Sequence, residues 1–197
     1  MSIFDKFKHR IGDFFETKLP DDFFEMQASP IFWHGKALEL HRAAMIIANQ
    51  CILDAAIMKK EFEDIKSWKS SVTLKKPESI SSQFLLLAAF SMENIFKGII
   101  VFREPGLVAK NKLTGVLKSH SLLKLAKHAK VQLTEDEEHF CNLASSASVN
   151  WGRYPTSTEA DKSVVYTKVT SEAFRLFDDL FQRTSSKFMG NFYNPNE

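Results

Sequence analysis

Apolar residues recur along this chain at intervals of three and four, and seldom in the strict alternation of a half-buried strand. That period is helical. Phe4, Phe7, Ile11, Phe14 and Phe15 make a first stripe over residues 3–16, with Lys6, Lys8, His9 and Arg10 off it. Pro20 and the Asp21-Asp22 pair close this segment. So short a helix is marginal alone and is expected to dock on the main domain or on a dimer partner. Acids on its polar face argue against a membrane-surface role. A long helix is predicted from about Trp33 to Trp68, apolar over a broad face at residues 43–58, as suits the centre of a bundle. Residues 69–82, polar and holding Pro77, read as a loop.

A third helix is expected from Ser81 to Phe102, stopped by Arg103-Glu104-Pro105-Gly106, and a basic connector leads on to Lys118. A short helix over Ser121–Lys130 follows, with Ser119 or Ser121 as its N-cap. Thr134-Glu135-Asp136-Glu137 is a capping box that opens a fifth helix and places acids where the helix dipole favours them. That helix carries Phe140, Leu143, Ala144, Ala147 and Trp151, and a loop over 152–162 leads to the last one. The last helix runs from about Val165 to Lys187 with Ala173, Phe177, Leu180, Phe181, Thr184 and Phe188 inward, before a frayed tail from Gly190. No hairpin pattern divides these segments. The expected fold is all-α: residues 1–28 form an N-terminal amphipathic helix and extension, 29–189 an up-and-down helical bundle, and 190–197 a tail.

Composition fits this picture. With 7 Gly and 6 Pro in 197 residues the chain lacks the turn residues of an all-β fold, and 18 Phe supply a large core. More apolar surface is available than one thin bundle buries easily, so a homodimer is expected. Cys51 and Cys141 lie inside apolar helical patterns, which points to buried free thiols and a reducing, cytoplasmic setting. Neither Cys/His spacing nor HExxH suggests a metal, and no phosphate-binding glycine loop or GxSxG elbow is present. No cofactor is implied. The apolar stretch Phe84–Phe102 is interrupted by Glu93 and Lys97, so it reads as a buried core helix and not as a membrane span.

Charge adds one feature. Net charge is only +2, yet Lys97, Arg103, Lys110, Lys112, Lys118, Lys124, Lys127 and Lys130 face a single acid, Glu104, over that stretch. Such a run attracts phosphates, or is a solvated surface balanced by the acids at 135–138. At its start, Lys97 stands four residues after Glu93, the favourable order for a helical ion pair. His120 lies where the short helix begins, a place that presents free N–H groups to anions. Arg153 offers a planar fork for phosphate, and Tyr154 a ring for stacking. Each also has a plainer use: a packing pair, a backbone-bonded histidine and a turn that seals the bundle end.

Ser91-Met92-Glu93-Asn94-Ile95-Phe96-Lys97-Gly98, then Ser119-His120-Ser121-Leu122-Leu123-Lys124-Leu125, then Arg153-Tyr154-Pro155, in that order, resemble a HEPN-type helical domain over about residues 80–185. The resemblance implies a four- or five-helix up-and-down bundle, frequent dimerisation and work on nucleotides or RNA. In many members it implies metal-independent RNA cleavage in toxin–antitoxin or defence systems, where a nucleotidyltransferase-type protein is the expected partner. HEPN ribonucleases carry an Arg followed by His after four to six residues. None of Arg10, Arg42, Arg103, Arg153, Arg175 and Arg183 has a His at that distance. The expectation is therefore a degenerate, non-catalytic domain that binds nucleotide or RNA phosphate through Glu93, Lys97, His120, Arg153 and Tyr154. Two alternatives stand beside it: an active ribonuclease using His120 with Arg153, and a pure interaction module docking through its Phe-rich first helix.

Overall fold

The computed structural model of the chain describes residues 23–67, 79–150 and 169–193. The amphipathic segment at 3–16, the loops at 69–78 and 152–162, Trp151, Arg153 and Tyr154 lie outside the described residues. The described part is helical almost throughout. A one-turn helix α1 (Phe23–Gln27) precedes the long α2 (Pro30–Ser67). Then come α3 (Ser81–Arg103), the short α4 (Leu122–Ala129), α5 (Glu135–Val149) and α6 (Ser171–Tyr193). The all-α expectation holds.

Contacts set the directions of the helices. Ser91 donates to the Ala37 carbonyl at 2.9 Å, and Gly98 lies against Trp33, so α2 and α3 run antiparallel. His34 and His41 of α2 meet Ser185 and Asp178 of α6, again antiparallel. Phe140 meets Phe177, and Glu137 meets Arg183, which makes α5 and α6 antiparallel. Successive long helices therefore alternate in direction, the up-and-down order expected of a bundle with α4 set into one connection.

α3 is the axis of the bundle and packs on α2, α4, α5 and α6. It is long and apolar enough to cross a membrane, yet most of its apolar stretch lies inside the protein. Ala37, Ala44 and Ala48, spaced by seven and four, give α2 a smooth face that lets α3 approach closely. The helices also come close at Gly98, where a Cβ would meet Trp33 Cβ at 3.0 Å. Phe rings fill the opposite side. Phe177 touches Phe84, Phe140 and Phe181, and His41 stacks on Phe181 with centroids 4.1 Å apart.

Several boundaries differ from expectation. α2 begins at Pro30, three residues early, because a proline at the first helical position gives up only an N–H that has no partner there. α6 does not fray at Gly190 but runs to Tyr193. Phe192 packs on Phe188 and Phe102, with centroids 6.1 and 5.7 Å away, and holds that last turn down. Between α3 and α4, Val108–Ala109 and Lys112–Leu113 form a minimal antiparallel hairpin. Its turn residues Lys110 and Asn111 both have φ near +50°, the type I′ geometry that a two-residue hairpin demands. Ser121 is the α4 cap, and the Thr134/Glu137 capping box forms with both of its bonds. Cys51 and Cys141 are free thiols; Cys141 is buried, while Cys51 is only partly so. Burial, together with Glu137 and Glu138 nearby, pushes the Cys141 thiol up to about 12 and makes it inert as a nucleophile.

Candidate functional site

Three of the five residues singled out in the sequence meet in one cluster between α3 and the start of α4. Glu93 and Lys97 fall one turn apart on α3, on a face turned mostly into the protein. The Lys97 ammonium donates to Glu93 Oε1 at 2.6 Å, and their side chains are 6% and 11% exposed. The Trp33 ring lies 5.9 Å from the ammonium and adds a cation–π contact. The pair is thus held inside the bundle. A buried ion pair of this kind persists only when both charges find good partners, since each gives up its hydration.

His120 comes to the pair from the connector. A short 3₁₀ turn, Gly115–Lys118, buries Val116 and Leu117, and the chain then enters α4 in extended backbone through Ser119 and Ser121. That path sets the imidazole beside α3. Nδ1 lies 3.0 and 3.2 Å from the two Glu93 oxygens and donates to them. The ring is 58% exposed, and Nε2 has no protein partner among the described residues. Glu93 therefore serves two groups: it neutralises Lys97 inside and orients His120 outside. Such a carboxylate–imidazole pair fixes which ring nitrogen faces solvent. With a neutral imidazole the cluster carries no net charge; with an imidazolium it carries one positive charge.

Lys97 departs from the role expected of it. Its ammonium is buried and bound to Glu93, so it supports the cluster and does not reach a ligand in solution. Within this cluster the outward-facing donor is His120. Of the basic run, Arg103, Lys110, Lys112, Lys118, Lys124, Lys127 and Lys130 are exposed, whereas Lys97 is not.

Two further sets of polar residues escaped the sequence reading. His34 is buried, bonds Ser185 through Nε2 at 2.8 Å and tilts against Phe188. Burial lowers its pKa and favours the neutral ring. His41 meets Asp178 at 2.8 Å. Both histidines join α2 to α6. Glu137 accepts the Arg183 guanidinium on both oxygens at 2.7 and 2.8 Å while it also caps α5 through Thr134. No local spacing announces any of these pairs, because their members lie on different helices.

Among the described residues no group of histidine, cysteine and carboxylate side chains could hold a metal ion. Compared with family models, curated proteins and solved structures, the chain has no match.

Proposed function

We propose that this chain is a HEPN-like bundle that binds a nucleotide or an RNA phosphate at the His120 cluster without cleaving it. The observation that carries this reading is the imidazole held by Glu93 with Nε2 turned outward at the start of α4. A ring fixed in this way loses little rotamer freedom when it donates to a phosphate oxygen, and the exposed lysines of the connector and α4 draw phosphates toward it. Lys97 acts through Glu93 as a positioning residue. Arg153 and Tyr154 are the expected additional contacts. The absent Arg-to-His spacing favours binding over cleavage. The Glu93–His120 pair is also the arrangement that proton transfer uses, so an active ribonuclease remains the second reading. A toxin–antitoxin or defence setting, with a nucleotidyltransferase-type partner, follows from the resemblance alone.

Calorimetry and thermal melting of the full chain with AMP and with a short single-stranded RNA, at low salt and with a chelator present, test this reading. At about 100 times its dissociation constant the ligand is expected to add about 2.7 kcal/mol of stability. His120→Ala removes most of that gain and leaves the free protein's melting point within a degree or two, because the ring is more than half exposed. Intact RNA after incubation supports a non-catalytic domain. RNA turnover that disappears in His120→Ala promotes the ribonuclease reading, and absence of binding by either ligand sinks both.

The same proposal includes a homodimer. Ile31, Leu38, Ile46, Leu53 and Ile57 are all exposed on α2, and their spacings of seven, eight, seven and four keep them on one side of the helix. This face lies away from Ala37, Ala44 and Ala48, which pack on α3. A second copy laid along α2 would cover it. Light scattering is expected to give twice the chain mass at micromolar concentration, and Leu53→Lys with Ile57→Lys to give the monomer. A wild-type monomer overturns the dimer.

A further inference from the structure

A second polar site lies away from His120, where α3 ends, α4 turns into α5 and α6 passes. Arg103, Lys130, Arg183 and Lys187 line a cleft of about 220 Å³, and Ile99, Val131 and Phe188 give it an apolar side. Among the described residues no carboxylate lines it.

Its four cations are held in different ways. Arg183 is anchored, with Nη1 on the Gln132 carbonyl at 3.2 Å and Nη2 on Glu137 behind it. Arg103 uses Nη1 on the Ala129 carbonyl at 3.3 Å, and its other donors have no partner among the described residues. Lys130 and Lys187 have no ion-pair partner among the described residues and are exposed. Three elements thus bring an excess of positive charge to one small concavity, with one guanidinium neutralised from the rear. The arrangement does not help the free protein, since like charges gathered together repel.

Two further observations point to a ligand. Lys130 caps α4 with φ +55° and ψ +38°, left-handed geometry that glycine adopts freely and a side chain adopts at a cost. The cap itself needs no side chain, since its backbone N–H makes the closing bonds. A lysine there brings charge to the cleft at the expense of the cap. Thr184 also lines the cleft, is 2% exposed, and has a buried hydroxyl with no hydrogen-bond partner among the described residues. Buried hydroxyls are nearly always satisfied, and an oxygen-rich ligand seated beside Thr184 would supply the missing partner once the side chain turns to a rotamer that faces the cleft.

We propose that this cleft is a second anion site, which takes the phosphate of a small phosphate monoester with its organic part against Ile99, Val131 and Phe188. A dianionic tetrahedral group suits three unneutralised cations better than a planar monoanionic carboxylate does, because it presents more charge and oxygens in several directions. The cleft is smaller than the usual pocket for a drug-sized ligand, so the organic part is compact. This inference does not depend on the His120 reading.

The full chain is titrated by calorimetry with inorganic phosphate, with glycerol 3-phosphate and with the same short RNA. Both small phosphates are expected to bind, the monoester more tightly, with affinity that falls as salt rises. Lys130→Gly combined with Lys187→Gln is expected to weaken monoester binding at least about tenfold, two charge-assisted contacts being lost. Lys130→Gly alone keeps or raises the melting temperature, since glycine relieves the left-handed cap, so lost binding cannot be laid to unfolding. His120→Ala leaves monoester binding at this cleft unchanged. Absence of binding by both small phosphates overturns the proposal. So does binding that survives Lys130→Gly/Lys187→Gln but is lost in His120→Ala, since the phosphate then sits on His120. RNA binding that depends on Lys130 and Lys187, without binding of the monoester, overturns the assignment of a small ligand in favour of an RNA backbone.

Discussion

Glu93→Ala is expected to destabilise the protein by about 3–5 kcal/mol, the usual cost of leaving one member of a buried pair alone. The Lys97 side chain is 6% exposed and its ammonium has Glu93 as its hydrogen-bonding partner, so the variant strands a buried charge. Lys97→Met is expected to cost less, because the Glu93 carboxylate keeps His120 as a partner. The double variant Glu93→Ala/Lys97→Met, with no stranded charge, should recover much of the loss; the two sites are in contact and their effects are not additive. Urea unfolding of the four proteins measures this cycle. A loss below about 1 kcal/mol in Glu93→Ala would mean that water reaches the ammonium and that the pair is a surface pair in effect. The cycle also bears on function: if Glu93 orients His120 and Lys97 acts through Glu93, Glu93→Ala weakens phosphate affinity even where the protein remains folded, and Lys97→Met weakens it less.

Phe177→Ala is the second large effect, expected at about 3–5 kcal/mol. Phe177 is fully buried where α2, α3, α5 and α6 converge, against His41, Phe84, Phe140 and Phe181. Rings around that point belong to four helices, so no single element can shift to fill the space without disturbing the others. Phe32→Ala serves as the control. Phe32 is 48% exposed, and its loss is expected to change stability by no more than about 0.5 kcal/mol. Domains are stable by roughly 5–15 kcal/mol, so Phe177→Ala should lower the midpoint of unfolding conspicuously while the control barely moves it. Equal small effects from both would show that the centre of the bundle is loosely packed.

Features that depend on neighbours in the chain were legible before the structure. The helical period marked the long helices, since it reports which side of each must be covered. Thr134 and Glu137 announced the start of α5, because a capping box closes within four residues. Ser121 was one of two caps named for α4, and it is the one used. The Glu93–Lys97 pair followed from one turn of helix, whatever surrounds it. Local preference also misled at the ends of elements. Gly190 suggested a frayed tail, yet the packing of Phe192 on Phe102 continues α6 past it. Lys110-Asn111 lacks the glycine that usually signals a type I′ hairpin, and the chain makes one there all the same.

What the sequence by itself determined, then, is the helical class, the order of the long helices, the caps and the one-turn ion pair, because each arises from bonds and side-chain spacings within a few residues. Tertiary structure alone decided which helix faces meet and what the polar residues do at those faces. It set His120 on Glu93 across 27 residues, Arg183 on Glu137 across 46 and His34 on Ser185 across 151. It turned Lys97 from an apparent phosphate ligand into a buried support, and it gathered Arg103, Lys130, Arg183 and Lys187 around one cleft. The physical reason is the same in each case: burial and partner choice depend on how helices of similar pattern pack against one another, and many arrangements of such helices satisfy the same periodicity.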